Sequence, residues 1–358
     1  MTLAPTPTRP RPRQEAATGS YHELAAAVRE AGLLERTPRF YVGLLTGLGV
    51  ALAALLTALV VIGPSWWQLL VAAALGVVLT QVAFVSHEAS HRQVLRTGPA
   101  NDRLGRVLAN AVVGISHSWW TTKHNRHHAN PNRRGKDPDI ERDTISFLPE
   151  DAAQQSGFMG ALTRRQGWLF FPLLTLEGLN LHVVSIRSAL ASAPSRARTT
   201  ELVLMAVRLV GYVALVVWQL PLGMAAAFLA VQLAVFGVYM GASFAPNHKG
   251  MAIIPAESRL DFLSKQVLTS RNISGGRWVT ALMGGLDAQI EHHLFPSMPR
   301  PHLARARELV REHCARVGMP YTQTTLVESY RRVVEYLNEV GLQARDPFDC
   351  PMVARYRA

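Results

Sequence analysis

Seven of the chain's 13 histidines fall in three five-residue windows. These are His87-Glu-Ala-Ser-His91, His124-Asn-Arg-His127-His128 and Gln289-Ile-Glu-His292-His293. Spacings of three and four residues put each set on one face of a helix. Neutral imidazole is the commonest metal ligand, and a convergent set of about eight supports more than one metal. A lone buried histidine is usually structural; three such windows are hard to explain that way. His248, in Pro246-Asn-His-Lys249, is an eighth candidate just past the end of an apolar run. His22, His302 and His313 lie in charged surroundings and read as solvated, while His117 and His182 lie on membrane-facing segments, where an outer role beside a metal is the lesser reading.

Other chemistries are weaker. His87-Glu88-x-x-His91 is also the pattern of zinc metallopeptidases, with the glutamate as general base, but that reading leaves two windows without a role. The two cysteines, Cys314 and Cys350, cannot build a four-thiolate iron–sulfur or zinc site, and read as free thiols in a reducing cytosol. Glu88, Asp137, Asp139 and Glu291 flank the windows and can orient imidazoles through their second ring nitrogen. Arg92, Lys123, Arg126, Arg133 and Arg134 form a basic set suited to an anionic headgroup, CoA, a reductase or simply a positive membrane rim.

The elements that must carry these windows are apolar helices. No charged residue occurs from Tyr41 to Ser86, and a span needs about 20 apolar residues, so this stretch holds two, broken at Gly63-Pro64-Ser65. We place them at 41–62 and 66–87, with Trp66 and Trp67 at an interface, and a second hairpin at 202–220 and 223–244, turning at Leu220-Pro221. The turns lack Lys and Arg, whereas the flanks carry most of the +12 net charge, so both hairpins start and end in the cytosol. Basic residues beside apolar spans fit anionic lipid rather than nucleic acid. The segment 168–190 contains Glu177, Asn180, His182 and Arg187. If it crossed, it would separate the windows, so we expect an interfacial or re-entrant helix, with a lesser one at 104–113.

The expected fold is therefore an all-α integral membrane protein: four transmembrane helices in two hairpins, interfacial helices and a cytosolic helical cap. Its parts are a cytosolic N-terminal tail and pre-membrane segment (1–40), a four-span domain with cytosolic histidine insertions (41–300) and a cytosolic helical region (301–358). The first twenty residues read as disordered. In the last part Pro301 suits a helix start, Gly318 and Pro320 a stop, and Thr325 with Glu328 a capping box.

The three windows, spread over four spans, resemble the histidine boxes of the membrane fatty-acid desaturase family. The likeness covers roughly Tyr41 to Leu303. Trp119-Trp120, Ala129-Asn-Pro-Asn132, Phe244-Ala-Pro-Asn-His-Lys-Gly-Met251 and Gln289-Ile-Glu-His-His-Leu-Phe-Pro296 are similar to stretches of actinobacterial acyl-CoA and acyl-lipid desaturases. The resemblance implies two non-haem iron ions held by His87, His91, His124, His127, His128, His292 and His293, with His248 as the family's extra histidine. Gln289 stands where many Δ9-type members have histidine; its amide oxygen can bind a metal or hydrogen-bond a ligand, and both stay open. A Δ9-type asparagine ligand is replaced by Phe244.

The same resemblance implies O2-dependent insertion of a cis double bond into a long acyl chain, on acyl-CoA or acyl-lipid. The site would lie on the cytosolic face of the cell membrane. The chain has no Gly-x-Gly-x-x-Gly loop, cysteine cluster or His-Pro-Gly-Gly haem motif. Electrons would therefore come from a separate donor, a ferredoxin or an iron–sulfur flavin reductase. A lipid or alkane hydroxylase is the near alternative, and a membrane zinc peptidase a more distant one. A transporter would need ionisable residues deep in the spans, which the four spans lack.

Overall fold

The computed structural model of the chain describes residues 12–343. Helix α1 (Pro12–Glu30) begins inside the stretch expected to be disordered, and its later turns pack into a cap over the molecule. Two long apolar helices come next, α2 (Pro38–Ile62) and α3 (Gln68–Ser90), joined at Gly63, whose φ of 65° is left-handed. The Gln68 side chain donates to the carbonyls of Leu59 (2.8 Å) and Gly63 (3.0 Å), satisfying acceptors that the end of α2 leaves free.

Helix α4 (Gly98–Arg106) runs into a π-helical turn at Val107–Val113, which lies against α3, and then comes α5 (His117–Ala129). Ser116 caps α5 by accepting from the Trp119 N–H at 3.2 Å, and Asn130-Pro131 ends it. Two short helices, α6 (Pro149–Ala153) and α7 (Gly157–Thr163), lead to α8 (Gln166–Ala191). The second hairpin is α9 (Arg196–Gln219) and α10 (Leu222–His248). Beyond it lie α11 (Phe262–Thr269), α12 (Arg277–Leu282), α13 (Gln289–Leu294), α14 (Leu303–Arg316) and α15 (Leu326–Gln343). Among the described residues, five helices are long and apolar enough to cross a membrane: α2, α3, α8, α9 and α10. The protein is a mostly helical membrane protein.

Helix α10 is the central post, flanked by α3 and α8. Its contact with α8 is as close as backbones allow. A Cβ on Gly237 would lie 2.4 Å from the Gly178 N and the Leu174 O, so only glycine fits. The cap is a separate core in which Leu24 and Val28 of α1 meet Val267 of α11, Ile290 and Leu294 of α13, and Val310 and Cys314 of α14. It fixes the third histidine window from above. One departure from an all-helical chain is a two-stranded parallel pair, β1 (Asn272–Ser274) with β2 (Gln323–Thr325). The expected cap at Thr325 forms, its Oγ1 accepting from the Glu328 N–H at 3.3 Å. His313, read as solvated, is instead buried, with its Nε2 at 2.7 Å from the Ser20 hydroxyl. The expectation for Cys350 lies outside the described residues.

Candidate metal centre

Four stretches deliver eight histidines to one place. The last turn of α3 and its cap carry His87 and His91, and α5 carries His124, His127 and His128. His248 is the last residue of α10, and α13 carries His292 and His293. All eight are buried.

They separate into two adjoining groups. In the first, the ligand atoms of His87, His91, His124, His128 and His292 lie within 4.8 Å of one another; in the second, those of His127, His248 and His293 do. The His128 and His293 rings stack at 4.1 Å and form the wall between the groups.

Protons alone do not satisfy the first group. The His124 Nε2 lies 2.8 Å from the His87 Nε2, 2.9 Å from the His91 Nε2 and 3.0 Å from the His128 Nε2. A ring nitrogen has either one proton or one lone pair, so most of these contacts cannot be hydrogen bonds. Ligand nitrogens around an ion at about 2.0–2.1 Å stand about 3 Å apart, so the donor set fits metal ions. The Nε2 atoms of His292 and His293 are buried without any hydrogen-bond partner, as donors awaiting a cation would be. Burial, reinforced by neighbouring imidazoles, keeps His124, His128, His292 and His293 far below the ordinary histidine range, and His91 is pushed down to about 3. They are neutral ligands at pH 7.

The second group is held by outer partners. The His127 Nδ1 lies 2.9 and 3.1 Å from the Asp137 oxygens and 3.4 Å from Asp139. Burial lowers the His127 pKa, but Asp139 and Asp137 outweigh it and raise it. Asp139 itself sits 2.6 Å from the Lys123 Nζ; burial would raise its carboxyl, yet Lys123, His127 and Lys249 hold it below the usual range. The His248 Nδ1 is 2.9 Å from the Thr269 carbonyl, and the His293 Nδ1 is 2.9 Å from the Gln266 Oε1. Each of these imidazoles thereby turns its Nε2 inward.

Gln289 also lies here. Its Oε1 accepts from the Asn247 Nδ2 at 3.1 Å, and its Nε2 is 2.9 Å from the His248 Nε2. The Asn247 amide also donates to the Ser243 carbonyl at 3.2 Å, which fixes this orientation. Gln289 thus places its amide against the inward-facing His248 nitrogen, among the ligand atoms of the second group.

The acids expected to orient imidazoles divide. Asp137 and Asp139 do so. Glu88 and Glu291 do not, because a residue next to a histidine on a helix points about 100° away. Glu88 pairs with Arg300, at 2.9 Å to Nε and 2.6 Å to Nη2, and accepts from the Tyr41 hydroxyl at 3.1 Å. Glu291 accepts from Tyr321 at 2.8 Å and Asn272 at 2.7 Å. Glu88 is thus committed to an ion pair and is not free to act as a peptidase base.

Neither His117 nor His182 enters the two groups: His117 packs against Gly105, and the His182 Nδ1 lies 3.0 Å from the Gly114 carbonyl. The basic set is largely engaged within the chain, Arg126 with Glu141, Arg134 with Glu150 and Arg133 with the carbonyls of Ala256 and Ser258, while Arg92 stays exposed. Sequence reasoning missed Arg300, Gln266, Thr269, Asn272 and Tyr321, and no local signal marks any of them.

Comparison with known proteins gives the family. The fatty acid desaturase family model matches residues 64–325. The "Delta(8)-fatty-acid desaturase 2" of Arabidopsis thaliana is 29% identical over 342 residues, 91% of this chain and 75% of that protein. The "Acyl-lipid (9-3)-desaturase" of Borago officinalis is 30% identical over 76% of this chain and 63% of its own length. The "Delta 8-(E)-sphingolipid desaturase" of Lachancea kluyveri is 26% identical over 96% of this chain and 64% of its own length.

Proposed function

Because the chain belongs to the fatty acid desaturase family, we propose that it uses two non-haem iron ions and O2 to introduce a cis double bond into a long acyl chain. One observation carries the reading: eight buried imidazoles converge in two adjoining groups, with no other assigned role. His87, His91, His124, His128 and His292 would hold one iron, and His127, His248 and His293 the other. Gln289, whose amide stands 2.9 Å from the His248 Nε2, would line the second iron's site.

Breaking an unactivated methylene C–H bond is beyond any side-chain base, and the irons supply that oxidising power when bound. The balance is one –CH2–CH2– unit, O2, two electrons and two protons in, one –CH=CH– unit and two waters out. The residues' part is to hold, orient and exclude. The Asp137, Thr269 and Gln266 contacts fix imidazole direction, and Trp120 and Phe244, ring centroids 5.6 Å apart, make an apolar wall beside His87 and His124. That wall keeps water from the reacting carbons.

The arrangement favours four spans, with α8 lying along the histidine face. Near its start, Phe170 packs with Ala245, three residues before His248; near its end, Ser188 and Ser192 share a groove with Ser116 and Ser118 of the α5 cap. Both ends of α8 thus stand by the histidine windows. With the positive flanks, this supports cytosolic termini and a cytosolic-face site in the cell membrane. The same family resemblance supports an acyl-CoA or acyl-lipid substrate and electrons from a ferredoxin or an iron–sulfur flavin reductase.

The test is product mass from purified chain in lipid vesicles, supplied with ferrous iron, a reduced ferredoxin system and O2. Loss of two hydrogens supports desaturation. A gain of one oxygen establishes the hydroxylase instead.

A further inference from the structure

The sequence at the end of α10 works against a regular helix. Pro246 lies inside the last turn, two residues before His248. It has no N–H for the Ala242 carbonyl, and its ring crowds that oxygen. The last four carbonyls of a helix lack intrahelical partners as well. A metal ligand carried on such an end is aimed only if groups from outside the helix hold it.

Those groups come from three other parts of the chain. The Tyr330 hydroxyl of α15 donates to the Ala242 carbonyl at 3.0 Å, and the Asn132 Nδ2 donates to the His248 carbonyl at 3.0 Å. Arg271, between α11 and β1, takes the carbonyls on both sides of His248. Its Nε and Nη2 donate to Pro246 at 2.9 and 2.5 Å, and its Nη2 to Lys249 at 2.9 Å. Its backbone N–H donates to the Asn247 carbonyl at 2.8 Å. Arg271 is fully buried, and among the described residues its side-chain partners are these carbonyls and the Met251 sulfur, with no carboxylate. Burying a guanidinium without a counter-charge is costly, and an apolar side chain would fill the space more cheaply. Packing alone therefore does not account for an arginine here; the negative end of the α10 dipole does.

The residues beside Arg271 tie the same stretch to the other ligands. The Thr269 carbonyl is 2.9 Å from the His248 Nδ1. Asn272 accepts from the Ile290 N–H at 2.9 Å and donates to Glu291 at 2.7 Å, just ahead of His292 and His293. We propose that Arg271 is a positioning residue for the second metal group, clamping the proline-broken end of α10 so that the His248 Nε2 meets His127 and His293. This role rests on the paired metal centre of the desaturase reading.

Cobalt(II) titration of the metal-free chain in detergent tests it, the second group's phase being the one that His248→Ala removes. Arg271→Met keeps most of the bulk and loses the donors. It should weaken that phase about 10–100-fold, the range for an outer partner of a ligand, and alter its visible absorption, with the other phase unmoved. Arg271→Lys, whose compact ammonium does not reproduce the planar fork, should weaken the phase severalfold. Equal losses in both phases of Arg271→Lys, or no change in either variant, would overturn the role. If Arg271→Met does not fold, the lysine variant decides alone. A wild type that takes fewer than two cobalt ions defeats the paired centre instead, and amide hydrogen exchange on the metal-free chain then decides the clamp. Arg271→Lys should speed exchange across 245–251; unchanged exchange there would overturn it.

Discussion

The two imidazole groups are built on opposite principles. The five-histidine group is rich in ligands and poor in support: its nitrogens face one another at about 3 Å, and the His128 Nδ1 has no partner at all. The three-histidine group is poor in ligands and rich in support, each imidazole being aimed by a carboxylate, a carbonyl or an amide from outside. Among the described residues, the acidic side chains paired with an imidazole of these groups, Asp137 and Asp139, are also on this side. The first group is thus specified by its ligand count, the second by its surroundings. Damage to a ligand should dominate in the first, and damage to a neighbour should matter chiefly in the second.

Four changes sharpen or break this contrast, in order of expected effect. His124→Ala removes the nitrogen at the centre of the first group, and we expect metal binding there and all activity to vanish while protein remains in the membrane. Metal analysis and product assay check it; full activity would mean the ligand set is wrong. Asp137→Asn should weaken metal in the second group about 10–100-fold through His127 and leave the first group loaded. A metal titration of each variant reads that difference. Glu88→Gln should lower thermal stability markedly, because it strips a buried arginine of its partner, yet keep both metals and much of the activity. Abolished activity with both metals retained would contradict a purely structural role for Glu88. Gln289→Ala should reduce metal affinity of the second group by about tenfold, the low end of the range for a lost neighbour.

Legibility in the sequence divides along the same line. The histidines were found from spacing because i, i+3 and i+4 are local rules of one helix. The hairpins were legible from uninterrupted apolar runs, and their turns from Gly63-Pro64 and Leu220-Pro221; α3 runs past His87 to Ser90, and α10 extends beyond its expected end to carry His248. The outer partners were not legible, because their contacts cross the chain. Glu88 and Arg300 are 212 positions apart, and Gln266 and His293 are 27 apart. Flanking position even misled for Glu88 and Glu291, which the helical turn points away from the imidazoles beside them. The start of α1 escaped because its sequence is polar; in its later turns Leu24 and Val28 find apolar partners in the cap.

The most direct test of the central claim is iron bound per chain in freshly purified protein, compared with His124→Ala and His293→Ala. Two irons per chain in the wild type, reduced in both variants, is the predicted result. One metal per chain, lost with His87 or His91 but indifferent to His127 and His293, would contradict the paired centre.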